Sequence, residues 1–231
     1  MNSQFRFSSG GLRYDANSRK NRLTWIAGML VGTAILLSGC GFFAPDGIET
    51  SQTVDPEQPP LQIPLVTGQI QHTGGNNTCM LQPQAYYQIQ ARILHKRSYF
   101  LDWRALCSPL DLALGWGVLA DSSVDEWINW YQSGRWYFYQ LEDNSPLRLD
   151  DIAIHSANVH IIPATQTLYL ALMSLEEGDV ILLEGELVDV SIDMLGFHPV
   201  WETSLTRSDN GAGACEILYV TRLVIDGEEY R

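Results

Sequence analysis

The stretch Gly178-Asp179-Val180-Ile181-Leu182-Leu183-Glu184-Gly185-Glu186-Leu187-Val188 carries the clearest strand pattern in the chain. A Gly-Asp turn opens it. Val180, Leu182, Leu187 and Val190 then mark a long, half-buried strand over Val180–Val190, with a bulge or bend at Gly185. Just upstream, Leu168, Ala171, Leu172 and Leu175 recur at helical spacing, which predicts a helix over Thr165–Leu175. Just downstream, Val200–Arg207 and Glu216–Ile225 read as a hairpin around Ser208-Asp209-Asn210-Gly211, whose Asn-Gly pair suits a tight turn. Further back, Leu65–Gln71, Tyr86–His95 and the aromatic Arg135–Leu141 read as strands. Ser108 as N-cap and Pro109 at the first helical position predict a short helix that Gly115-Trp116-Gly117 breaks. Ser122 or Ser123 is expected to cap a second helix through Asn129, and Asp150–Ile162 has no decisive period. Sequential strands favour antiparallel pairing. The expected fold is a single α+β domain: a small, mostly antiparallel, strongly bent sheet or partly open barrel with two or three short helices.

The Gly178–Val188 stretch resembles the strand pairs of small barrels such as OB-folds, where a mid-strand glycine lets the sheet curl. Three further segments are Ser108-Pro109-Leu110-Asp111-Leu112-Ala113-Leu114-Gly115-Trp116-Gly117, His155-Ser156-Ala157-Asn158-Val159-His160-Ile161-Ile162-Pro163-Ala164 and Ser204-Leu205-Thr206-Arg207-Ser208-Asp209-Asn210-Gly211-Ala212-Gly213-Ala214-Cys215-Glu216. With these in this order, the chain resembles a group of uncharacterised bacterial proteins. That resemblance implies one domain over most of Tyr86–Ile225 and transfers no activity.

Composition narrows the function classes. The chain of 231 residues is 45% hydrophobic, too apolar for intrinsic disorder. Its 14 Lys+Arg against 27 Asp+Glu argue against a nucleic-acid partner, because phosphate binding rests on basic side chains.

The N-terminus carries the sharpest signal. Arg13, Arg19, Lys20 and Arg22 precede an apolar run, Leu23–Leu37, of 15 residues. A membrane-spanning helix takes roughly 20 apolar residues, whereas a run of about 7–15 after a basic flank has the size of a signal-peptide core. Leu37-Ser38-Gly39-Cys40 then resembles a bacterial lipobox. It implies that residues 1–39 are a signal peptide and that Cys40 becomes the lipidated first residue. Its thiol would take a diacylglycerol, with palmitate-type chains in the bilayer. Gly41, rather than Asp, resembles the pattern sorted to an outer membrane. The alternative is an uncleaved inner-membrane anchor. Cleavage leaves 192 residues with 9 positive and 26 negative charges, a net −17. Such a surface is repelled by anionic lipid, so the covalent lipid has to do the anchoring. Residues 40–64 hold five prolines and read as a tether, and 65–231 as the globular domain.

Several residues are candidates for chemistry. On a strand, Ser156, Asn158 and His160 share one face, so His160 is a candidate general base oriented by Asn158. The bland alternative has both hydrogen-bonded to backbone. Cys215 ends a glycine-rich loop and is a candidate nucleophile, with Arg207 and Asp209 across the turn as orienters. Its alternative is a structural cysteine. Three cysteines beyond Cys40 allow one disulfide; Cys79 and Cys107, both in turn-like contexts, are the expected pair. Seven aromatics crowd Trp127–Tyr139, either as core or as a sugar-stacking face. Arg92, His95, Lys96, Arg97 and Arg104 form a basic cluster. Neither a metal nor a cofactor motif is present: His155 and His160 lack the i, i+4 spacing of a zinc helix. The functional expectation is a lipid-anchored envelope module that binds a protein or glycan partner or serves in assembly. The alternatives are an envelope hydrolase or transferase using His160 and Cys215, and a carbohydrate-binding module.

The lipobox makes a direct prediction. The expressed chain is expected in the membrane fraction, lipid-modified and shortened at Cys40, and Cys40→Ala is expected to stay full-length and unmodified. Intact mass with fractionation checks this; a soluble, unmodified wild type refutes it.

Overall fold

A computed structural model describes residues 54–74, 77–193, 198–206 and 215–231, all within one compact unit, Ala44–Arg231. Cys40, Arg207, Asp209 and the Asn-Gly turn lie outside the described residues. In chain order the elements are β1 (Leu61–Pro64), β2 (Ile70–Gly74), β3 (Asn77–Ser98), β4 (Leu110–Gly115), β5 (Ile128–Ser133), β6 (Trp136–Leu141), α1 (Leu149–Ile154), β7 (Ser156–Pro163), α2 (Gln166–Ser174), β8 (Val180–Ile192), β9 (Val200–Trp201), β10 (Glu216–Ile225) and β11 (Glu228–Tyr230). Among the described residues the domain is sheet-dominated, more so than α+β implies, because the two α-helices there span 6 and 9 residues.

Five strands close a ring. The 22-residue β3 gives one edge to β8, from Cys79↔Ile192 to Arg92↔Val180. Its other edge is taken in turn by β2, β1 and β4. β4 pairs with β7, β7 with β10 in parallel, and β10 with β8. This order, with its one parallel pair and a helix between β7 and β8, is the connectivity of a five-stranded Greek-key barrel of the OB type.

Alternation fills the ring. Tyr87, Ile89, Ile93, Leu112, Val159, Leu183 and Leu218 point inward, and Leu168, Leu172 and Leu175 of the α2 segment pack on the same cluster. Thr165 caps α2 by accepting from Leu168 N at 3.2 Å. At the other end of α2, Lys96 Nζ donates to the carbonyls of Met173 and Leu175. Gly185 sits where β8 crosses β10 so closely that any Cβ would collide with the Tyr219 carbonyl.

Several sequence expectations are corrected. Ser108–Leu114 is not a helix: Leu110–Gly115 is a fully buried strand. Leu110, Leu112 and Leu114 enter the core at period two, and pairing on both edges overrides the local helix-start signal. The expected helix at Ser122 is only a 3₁₀ turn, Ser122–Val124, capped by Asp121, and the chain beyond it enters β5. Val200–Trp201 pairs with Val190 and Ser191 of β8 rather than forming a hairpin with β10. The single expected strand over Leu65–Gln71 is replaced by two short ones, β1 and β2. Because β1 pairs with Tyr86–Gln88, part of the residues read as tether is inside the sheet.

The outer face of β3, β8 and β10 buries a polar cluster. Arg222 pairs with Glu184 at 3.0 Å and Glu229 at 2.9 Å. Glu186, only 8% exposed beside them, has a buried Oε2 without a partner. Burial first, and the neighbouring Glu184 second, push its carboxyl up to about 7. An acid neutral in the fold and ionised in the unfolded chain binds an extra proton when folded. Stability attributable to Glu186 is therefore full below about pH 4.5 and is lost as pH rises through 7, by up to ~3 kcal/mol. Glu186→Gln is expected to raise stability at pH 8 and to flatten the decline between pH 5 and 7, read from urea midpoints across pH.

Candidate functional site

Three sequence candidates, Asn158, His160 and Cys215, meet on the outer side of β4 and β7, under the β5–β6 hairpin. That hairpin turns on Gly134 (φ 60°) and Arg135 (φ 74°), a two-residue turn of the kind that matches strand twist. A left-handed arginine costs on the order of 1 kcal/mol. Its side chain explains why it is there. Arg135 makes a bidentate pair with Asp102 (both contacts 3.0 Å), donates to Asp111 Oδ1 at 2.7 Å and to the Ser108 carbonyl at 3.0 Å, and lies 3.9 Å over the Tyr99 ring. Arg135 thus clamps the hairpin to the β3–β4 loop. The same guanidinium helps hold Asp102 below the ordinary carboxylate range, against the burial that pushes it up.

His160 and Asp111 are direct cross-strand partners, Asp111↔His160. The imidazole Nδ1 lies 2.9 Å from Asp111 Oδ1, close enough for an ion pair but not aligned as a hydrogen bond. Asp111 is wholly buried, and its Oδ2 has no partner. His160 also lines a cavity. The Trp201 ring covers the imidazole, centroids 4.5 Å apart.

Asn158 does different work from that expected of it. Its Oδ1 accepts from Gln132 Nε2 at 2.6 Å, and its Nδ2 donates to the Arg135 carbonyl at 3.0 Å and to Cys215 Sγ at 3.6 Å. It ties the hairpin to β7 and touches the thiol, while Asp111 is the group that stands at His160. Sequence reasoning missed Asp111 and Arg135. Asp111 was hidden by the helix reading of its segment. The Gly-Arg pair between two aromatic strands was the available signal for Arg135.

His160 and Cys215 line a cavity of about 380 Å³ whose wall also includes Arg104, Arg135, Trp136 and Trp201. Arg104 stacks on Trp103 (4.7 Å) and Trp201 (5.2 Å). Its guanidinium has no carboxylate partner among the described residues. The rest of the sequence's basic cluster is dispersed: Arg92 is buried against Asp125, and Lys96 is spent on the end of α2. A larger cavity of about 490 Å³ lies beside the disulfide, between His72, Tyr99, Cys107 and Tyr169. Burial lowers the His72 pKa, and the walls there are mostly apolar. The smaller cavity is the one that gathers thiol, imidazole and guanidinium.

Cys79 and Cys107 are joined by a disulfide, Cα–Cα 6.1 Å. Cys215 is outside it. Among the described residues, no group of three or more His, Cys, Asp or Glu is placed to hold a metal ion.

The aromatics divide as period two dictates. Trp130, Tyr137 and Tyr139 pack on the core beneath the hairpin. Tyr131, Trp136 and Phe138 are exposed, at 49%, 39% and 39%, with Tyr131 and Phe138 stacked at 4.9 Å. Trp136 belongs both to this row and to the cavity wall.

No family model and no curated protein matches this chain. Among solved structures, it is similar to a small single-stranded DNA-binding protein from Streptomyces coelicolor, at 10% identity. That match covers 65% of this chain and 95% of the other, with a TM-score of 0.23.

Asp111 is the hinge of this site energetically. Removing its charge leaves Arg135 and His160 buried against a neutral amide. Asp111→Asn is expected to cost about 3 kcal/mol of unfolding free energy, measured by denaturant titration. A loss under about 0.5 kcal/mol, the size of an ordinary surface change, contradicts the clamp.

Proposed function

We propose that this chain is a lipid-anchored protein of a bacterial cell envelope, that its barrel is a binding module, and that a glycan is its ligand. The observation that carries the ligand reading is the exposed row Tyr131, Trp136 and Phe138, continuous through Trp136 with the cavity. Aromatic faces stack on the apolar faces of sugar rings. Arg104, Glu202 and His160 at the cavity supply the few polar groups that orient such a ligand. The mature charge of −17 disfavours a phosphate-backbone competitor for the same face. The Cys79–Cys107 disulfide supports an oxidising compartment, as the lipobox at Cys40 does. Within that compartment, the Cys40 lipid and the Pro-rich segment would hold the barrel at the inner leaflet of the outer membrane, facing the periplasm.

The test is titration calorimetry with neutral and acidic oligosaccharides, including fragments of cell-wall glycan. Wild type is expected to bind one of them. Trp136→Ala and Tyr131→Ala are each expected to weaken it about tenfold, roughly 1.4 kcal/mol, with unchanged melting. Absence of saccharide binding, or binding indifferent to both variants, overturns the glycan reading.

A further inference from the structure

The geometry points to Cys215 as a nucleophilic thiol for acyl transfer, with His160 as its acid–base partner and Asp111 as the positioning residue. This goes beyond ligand binding and does not depend on what lies along the aromatic row.

Register brings the three together. β10 runs parallel to β7 with Glu216↔Val159 and Ile217↔His160. Cys215, one residue earlier, therefore arrives beside Asn158, whose Nδ2 reaches its Sγ at 3.6 Å. A donor on sulfur favours the thiolate, the reactive form. Cys215 and His160 line the same 380 Å³ cavity. Asp111 occupies the Nδ1 side of the imidazole at 2.9 Å, so Nε2 is the nitrogen that can take and return a proton. Arg104, against the rings of Trp103 and Trp201 and without a carboxylate partner among the described residues, lines the same cavity and is the group to stabilise negative charge developing on a carbonyl oxygen. Glu202 shares that wall, which favours an uncharged ester over an acidic one.

The step balances with water as the only co-reactant. The Cys215 proton passes to His160 Nε2, and sulfur attacks the ester carbonyl carbon. The C–S bond forms, the C–O bond to the alcohol breaks, and the leaving oxygen takes the proton from Nε2. Water then gives a proton to Nε2 and its oxygen to the carbonyl carbon. The C–S bond breaks, and the thiol recovers the proton. The net change is ester plus water to acid plus alcohol.

The probe is p-nitrophenyl acetate on the full mature chain, followed by nitrophenol release and intact mass. Wild type is expected to show a stoichiometric burst and a mass gain of one acetyl group on Cys215, absent in Cys215→Ala. Folded His160→Gln is expected to acylate ~100-fold more slowly. Folded Asp111→Asn is expected to lower kcat for the ester while leaving KM unchanged, the split expected of a residue that acts through His160. A second measurement needs no variant: folded Cys215 is expected to acylate faster at pH 7 than the same thiol in guanidinium-unfolded chain. Acylation no faster than in the unfolded chain, or unchanged in folded His160→Gln, overturns the proposal. Saccharide titration of Cys215→Ala separates the two readings, since binding there is expected to survive.

Discussion

The pairing of β3 with β8 is the constraint from which the rest of the structure follows. β3 is long enough to pair along one whole edge with β8 while its other edge serves three shorter strands. That turns a bent sheet into a ring, and a ring has few open edges to protect. The close crossing at Gly185 completes it: β8 must pass β10 with its backbone against the Tyr219 carbonyl, which only a residue without a Cβ permits. Once closed, the ring's inward positions are nearly all aliphatic, and every polar demand is moved to its outer faces.

Those outer faces carry two buried polar clusters of different character. The Glu184–Glu186–Arg222–Glu229 group has more carboxylate than guanidinium, and Glu186 meets the imbalance by keeping its proton near neutrality. The Asp102–Asp111–Arg135–His160 group is balanced instead by geometry. A single guanidinium faces two carboxylates and a carbonyl, and the strained turn at Arg135 is held by those contacts. Ion pairs of this kind give little net stability against an apolar isostere. Their effect is to fix where the hairpin sits, and so to fix the distance between the aromatic row and the imidazole.

Much of this was legible locally. The turn at Gly178, the long strand that follows it, the helix within Thr165–Leu175 and the aromatic strand within Arg135–Leu141 each depend on neighbours in sequence, and each appears in the structure. The bent, mostly antiparallel sheet follows from them. What was not legible is non-local. The segment from Ser108 has a genuine helix-start signal, and only the pairing of Leu110–Gly115 with two distant strands overrules it. The same misreading concealed Asp111, because a carboxylate on a short surface helix has no reason to meet His160. Parallel pairing of β7 with β10 was equally hidden. It requires a crossover through α2 and β8, and nothing in Glu216–Ile225 distinguishes that arrangement from a hairpin.

The location of the cavity follows from the same non-local step. Because β10 enters its ladder only at Glu216, opposite Val159, Cys215 stands just outside the regular hydrogen bonding while Asn158 and His160 remain inside it. A side chain at that threshold is held by the strand that follows it and still lines the cavity. Trp201 reaches the same place from the far end of β8, through the two-residue pairing of β9. Arg104 reaches it from the turn closed by the Cys79–Cys107 disulfide. Three connections of the barrel therefore converge where the one parallel pair begins. The groups they deliver, a thiol, a guanidinium and two indoles, are ones that the apolar interior cannot hold and the acidic exterior does not otherwise gather.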